Sequence, residues 1–61
     1  MSAEIFRFEL EGGHMRYHHR RDIWVVWKDR DGRLDDIDAN HFKTIREFKQ
    51  WAQERINAST T

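Results

Sequence analysis

Four histidines, a run of arginines, two closely spaced tryptophans and a cluster of aspartates are the side chains with which this 61-residue chain could do chemistry. The histidines do not make a metal site. On a strand, His14 and His18 share a face but stand about 13 Å apart, too far for one zinc or nickel ion, and there is no cysteine to complete a set. Asp29-x-Asp31-Gly32 has the look of a calcium-loop fragment, but its glycine comes too early and no bidentate glutamate follows at the right distance. It reads better as a turn. Nucleophilic catalysis has little to use: Ser2 and Ser59 lie at the chain ends and Thr44 is occupied as a helix cap. The expectation is therefore a non-enzymatic protein with no cofactor and no metal.

Recognition chemistry is better supplied. Residues 14 to 21 carry Arg16, Arg20 and Arg21 with no acid, and three arginines at this spacing can take anionic groups in bidentate fashion. A solvated strand face, balanced by the chain's own aspartates, is the plain alternative. His14, His18 and His19 add positive charge below neutral pH, so binding of an anionic partner is expected to strengthen as pH falls. Trp24 and Trp27 are three apart, and on a regular strand such residues point to opposite faces. A covering helix can bury one of them only, unless a bulge or sheet curvature lets both pack inside or the second sits under an arginine stem. The other is left for contact with a partner, where Trp and Arg dominate binding energy. The residues expected to bind a partner are Arg16, Tyr17, His18, Arg20, Arg21, Trp24 and Lys28.

The elements that must position them follow from periodicity. From Glu4 to Glu11 the apolar residues Phe6, Phe8 and Leu10 alternate with Arg7 and Glu9, a half-buried strand, and Gly12-Gly13 predicts a tight turn. His14 to Lys28 is strongly β-prone, and Arg20-Arg21-Asp22 either bends one long strand or divides two. Asp29 to Gly32 predicts a turn into a returning strand over Arg33 to Ile37, whose aspartates suit a sheet edge. Thr44-x-x-Glu47 is a capping box for a helix from Ile45 to about Ile56. Ile45, Phe48, Trp51, Ala52 and Ile56 form its apolar stripe, and Asn57 is the expected left-handed terminator. The fold class expected is α+β: a three- to four-stranded antiparallel sheet packed on one C-terminal helix, with residues 1–57 as a single domain and 58–61 as a frayed tail.

Composition narrows the function further. A chain this short buries only about 60% of its unfolded surface, so eight aromatics must supply the core. Met1-Ser2-Ala3 leads into a strand pattern with neither a basic start nor a long apolar run, so no leader or membrane span is expected, and the lack of cysteine favours the cytoplasm. Lys+Arg and Asp+Glu both number 11, which removes the bulk charge of a nucleic-acid binder. The signs are nevertheless separated: residues 29 to 38 hold five aspartates against two arginines.

Around the start of the helix, Gly32-x9-Phe42-x-Thr44-x-x-Glu47-Phe48-x-x-Trp51 resembles two families. One is the arm-type DNA-binding domain of tyrosine recombinases, over roughly residues 24 to 55, although Phe48 stands where alanine is usual there. That resemblance implies a sheet whose open face enters the major groove. The other is the group of small phage anti-CRISPR proteins, matched by the spacing of Phe42, Thr44, Phe48 and Trp51. It implies a non-catalytic inhibitor that docks on a host complex through Tyr and charged side chains of its sheet, with Tyr17 and Glu9 or Glu11 as candidates by character. Val26-Trp27-Lys28 followed by Ile45-x-x-Phe48 is also similar to chromodomain-like barrels, without their Trp-Glu-Pro stretch.

Together these point to a protein-binding module, a phage or mobile-element regulator that docks on a host protein complex through the sheet face left uncovered by the helix. Replacing Trp24 or Tyr17 together with Arg16 is expected to abolish binding and spare the fold. A DNA-binding domain using Arg16, Arg20, Arg21 and Lys28 on the same face is the alternative, and a homodimer through the spare aromatic surface is the third reading.

Overall fold

The computed structural model describes residues 6–59. Four strands, β1 (Arg7–Leu10), β2 (Gly13–His18), β3 (Ile23–Lys28) and β4 (Gly32–Asp38), form one antiparallel meander in the order β1-β2-β3-β4. The helix α1 (Ile45–Ala58) comes next and packs across one face, so the fold is the expected α+β sheet plus C-terminal helix, with four strands. The first residues of the expected strand, Glu4 and Ile5, lie outside the described residues.

Each turn is set by local chemistry. Leu10 pairs with Gly13, which makes Glu11-Gly12 the two-residue turn, and Gly12, its second central residue, takes a left-handed φ of 86° that glycine adopts without steric cost. The expected Gly12-Gly13 turn is thus displaced by one residue, because Gly13 belongs to the ladder. The segment from His14 to Lys28 resolves into two strands: His18 O accepts from Arg21 N and Asp22 N at 3.2 and 2.8 Å, and Asp22 turns the chain at φ 55°. Arg30 and Gly32, at φ 74° and 91°, make the next turn.

A bulge gives β4 its character. Val26 pairs with Asp35 and Trp27 with Arg33, so Leu34 is an extra residue opposite β3. It drops onto the core. The extra residue also brings Arg33 and Asp36, three apart, to one face, where they form an ion pair. Asp35 is left on the helix side, with its Oδ2 3.2 Å from Arg55 Nε.

The capping box forms as expected: Glu47 N donates to Thr44 Oγ1 at 3.2 Å, and Thr44 N donates to Glu47 Oε1 at 3.1 Å. The far end differs. Asn57 stays helical, the helix continues to Ala58, and Ser59 caps it by donating from Oγ to Ile56 O at 2.8 Å. Of the tail expected over 58–61, Ala58 is helical and Ser59 is the cap, and residues 60–61 lie outside the described residues. Gln53 explains part of this extension, since it grips the β1–β2 turn from the last turns of the helix, accepting from Glu11 N at 3.0 Å and donating to Glu11 O at 2.9 Å.

The core consists of Met15, Trp24 and Val26 from the sheet against Phe48, Ala52 and Ile56 from the helix. Of the predicted apolar stripe, Trp51 is half-buried and Ile45 is 39% exposed.

Candidate functional site: the open face of the sheet

Strand alternation sorts the candidate residues into two sets. On the helix side stand Phe8, Leu10, Met15, Tyr17, Trp24, Val26 and Ile37. On the other side stand Arg7 and Glu9 of β1, His14, Arg16 and His18 of β2, Ile23, Val25 and Trp27 of β3, and Arg33, Asp36 and Asp38 of β4. Nothing in the described structure covers this second face.

Three of the expected partner-binding residues are thereby relocated. Trp24 is 4% exposed, ringed by Phe6, Phe8, Tyr17 and Phe48 at centroid distances of 5.4 to 6.3 Å, and belongs to the core. Its substitution would attack the fold and not a docking surface. Tyr17 lies on the same side, its hydroxyl donating to Asp22 Oδ1 at 2.6 Å, a bond that pushes the phenol pKa up. Lys28 also points to the helix side: its Nζ donates to Ser59 O at 3.2 Å, where the negative end of the helix favours a cation, and stands 3.5 Å from Asp31. Arg16 and His18 are on the open face as expected, and Arg20 and Arg21 occupy the β2–β3 turn at its end.

Trp27 is the tryptophan that faces out. Its indole is half-buried under its neighbours: the His14 ring stacks on it at 6.1 Å and 6°, and the Arg16 guanidinium sits 6.0 Å from its centroid. Val25, at 4% exposure, is buried on this face, between Arg16 and Asp36 in the register. A groove of about 690 Å³ runs from this aromatic centre toward the β2–β3 turn, lined by Arg7, Arg16, His18, Arg20, Phe6 and Trp27 among others. Arg7 is engaged by Glu9 at 2.6 Å. Arg16, Arg20 and Arg21 enter no ion pair among the described residues.

His14 departs from the expected behaviour of the histidines. Burial first, and then the positive charge of Arg7, hold its pKa below the ordinary 6.5, and its Nε2 is buried with no hydrogen-bond partner among the described residues. It therefore resists taking up the proton that was expected to add charge to this face. The consequence for stability has a definite sign. Below 6.5 the unfolded chain binds a proton at His14 before the folded chain does, so stability falls as pH drops from 6.5 toward the lower folded pKa. Urea unfolding between pH 7.5 and 5 should show this loss, and His14→Phe, which keeps the stack on Trp27, should flatten it; an equally steep curve in the variant would refute the assignment.

Compared with protein families, curated proteins and solved structures, the chain matches none. Arg7, Val25 and Arg33 are residues of this face that the sequence did not single out, whereas Trp27 was one of two tryptophans between which spacing could not choose and His14 was named for its charge alone. The register that unites them follows from centring the second hairpin turn on Arg20-Arg21, which pairs Arg16 with Val25 and His14 with Trp27. No helix among the described residues is long and apolar enough to cross a membrane.

Proposed function

We propose that the protein is a non-enzymatic binding module that docks on another protein through the open face of its sheet, in the manner of a small regulator or inhibitor of a larger complex. The observation that carries this reading is the composition of that face: a half-buried Trp27 and a buried Val25 at its centre, Arg16 and Arg20 with no ion-pair partner among the described residues on one flank, and aspartates on the other. A central aromatic beside arginine is what protein interfaces use for their strongest contacts. The resemblance to phage anti-CRISPR inhibitors adds a class of partner, a host protein complex.

DNA binding is the second reading, favoured by the arginines that have no carboxylate partner among the described residues. The same face argues against it. Asp36 and Asp38 stand on β4, two strands or about 10 Å from Arg16 of β2, so a sheet inserted in a major groove about 12 Å wide would press them on phosphates.

Capture from lysate with the tagged protein, at low and high salt and with nuclease, separates the two. A discrete protein that survives both treatments is expected. Arg16→Glu and Trp27→Ala should each weaken its capture by about 2 kcal/mol or more, while Arg46→Glu on the outer face of the helix should not. Nucleic acid that is lost at high salt, with no protein retained, would overturn the reading in favour of DNA.

A further inference from the structure

The charges of the open face are arranged in rows. Cross-strand pairing places Arg7, Arg16, Val25 and Asp36 side by side in one row, and Glu9, His14, Trp27 and Arg33 in the next. Each row begins and ends on opposite charges, and the two rows run in opposite senses. The middle of each is the apolar or aromatic part.

Such a pattern is complementary to itself. When two copies face each other about a two-fold axis parallel to the strands, strand order reverses and rows stay level. Arg7 then lies over Asp36 of the second copy, Glu9 over Arg33, Arg16 over Val25, and His14 over Trp27. Every charged end meets its opposite, and both contacts occur twice by symmetry. An axis across the strands does worse. With rows aligned it sets Arg7 on Arg7 and Asp36 on Asp36; shifted by one row it does oppose Arg7 to Glu9 and Asp36 to Arg33, but it lays the two β2 strands over each other and brings the two Arg16 guanidiniums to neighbouring positions, where the first axis puts each over Val25. Two sheets packed on the first axis need only the usual small twist between aligned faces.

We infer that the free protein forms a weak homodimer in which the open faces cover one another about an axis parallel to the strands. Strand spacings of about 4.8 Å and rises of about 3.3 Å make the face about 20 Å on a side, so roughly 800 Å² is buried in all, below the range of stable interfaces and in that of weak, transient ones. The dimer therefore exchanges readily and forms toward millimolar protein. Its intrachain pairs, Arg7 with Glu9 and Arg33 with Asp36, merge into two four-charge clusters at the rims. The inference shares with the docking reading only the face itself, so the two fail separately: a partner can be captured by a protein that never dimerises, and a dimer can form where no partner exists.

Sedimentation of the full chain from micromolar to millimolar concentration tests it. The average mass should rise from that of the 7.5 kDa monomer toward twice that value. Arg7→Glu alone and Asp36→Arg alone should each weaken association about tenfold or more, and an equimolar mixture of R7E and D36R chains should restore it, since each altered residue then meets its opposite. Both positions are exposed and outside the core, and circular dichroism checks that the sheet persists. In a mixture of isotopically labelled and unlabelled wild-type chains, intermolecular nuclear Overhauser effects between Arg16 and Val25 read the axis without any substitution. A wild-type chain that stays monomeric throughout, single variants that associate as well as wild type, a mixture that fails to recover, or absent Arg16–Val25 effects would each overturn the inference.

Discussion

Trp24→Ala is expected to leave the protein largely unfolded in buffer, while Trp27→Ala, three residues away on the same strand, is expected to remain folded. The difference lies in what each indole touches. Trp24 joins β1, β2 and the helix through Phe8, Tyr17 and Phe48, and Phe6 closes its edge. Truncating a buried tryptophan of this kind costs about 3–5 kcal/mol. A 61-residue domain has on the order of 0.05–0.15 kcal/mol of stability per residue, roughly 3–9 kcal/mol in all, with neither disulfide nor other covalent staple to add to it. Trp27 leans on His14 and Arg16 alone among the described rings and cations, contacts worth about 1 kcal/mol together. Urea titrations followed by far-ultraviolet dichroism give the comparison. Equal losses for the two variants would mean that the faces have been assigned the wrong way round.

The two tryptophans also show how far the sequence could be read. Their spacing alone requires that one face in and one face out, and the strand keeps that alternation because the bulge falls on β4, at Leu34, and leaves β3 regular. Which of them faces in depends on register with β2. That register is fixed by the hairpin at His19 to Asp22, where basic side chains and a positive φ at a non-glycine residue give no strong turn signature. The capping box and the Asp29–Gly32 turn were legible because their chemistry is local. The helix end was not, because Gln53 holds it from the β1–β2 turn, forty-two residues away in sequence, and a local terminator such as Asn57 is then overridden.

The open face was half legible. Arg16 and His18 follow from alternation once β2 is placed. The remaining members depend on pairing between strands distant in sequence: Arg7 joins by pairing with Arg16, Trp27 by pairing with His14, and Asp36 by pairing with Val25. Lys28 is a strand residue of suitable charge, but the helix C-terminus, which no local pattern places beside it, takes up its ammonium. The separation of basic and acidic segments along the chain does survive folding. The meander keeps sequence neighbours adjacent, so a charge gradient along the chain becomes one across the sheet, from β2 to β4.

Gly13→Ala should be nearly as damaging as the loss of Trp24, although it adds a single methyl group. A Cβ at Gly13 would overlap the Trp27 carbonyl oxygen and stand 3.1 Å from Lys28 Cα and 2.9 Å from Ile56 Cδ1. Ile56 can shift its terminal methyl. The other two atoms are backbone of the neighbouring strand, held in the ladder by the pairing of Gly13 with Lys28, and can retreat only if β2 and β3 part. Those two strands carry His14 on Trp27 and Arg16 beside Val25, so the same retreat would also disturb the open face. Overpacking costs of about 1–3 kcal/mol are usual where side chains can give way, and here the upper end or beyond is expected because backbone cannot. Gly32→Ala supplies the control. Nothing lies within 4 Å of its added methyl, so only the left-handed φ of 91° opposes it, a cost of about 1–2 kcal/mol. Gly13→Ala should therefore lower the urea midpoint further than Gly32→Ala and broaden the amide spectrum of β2 and β3. The reverse order would mean that the two strands are not packed this closely at their first pair.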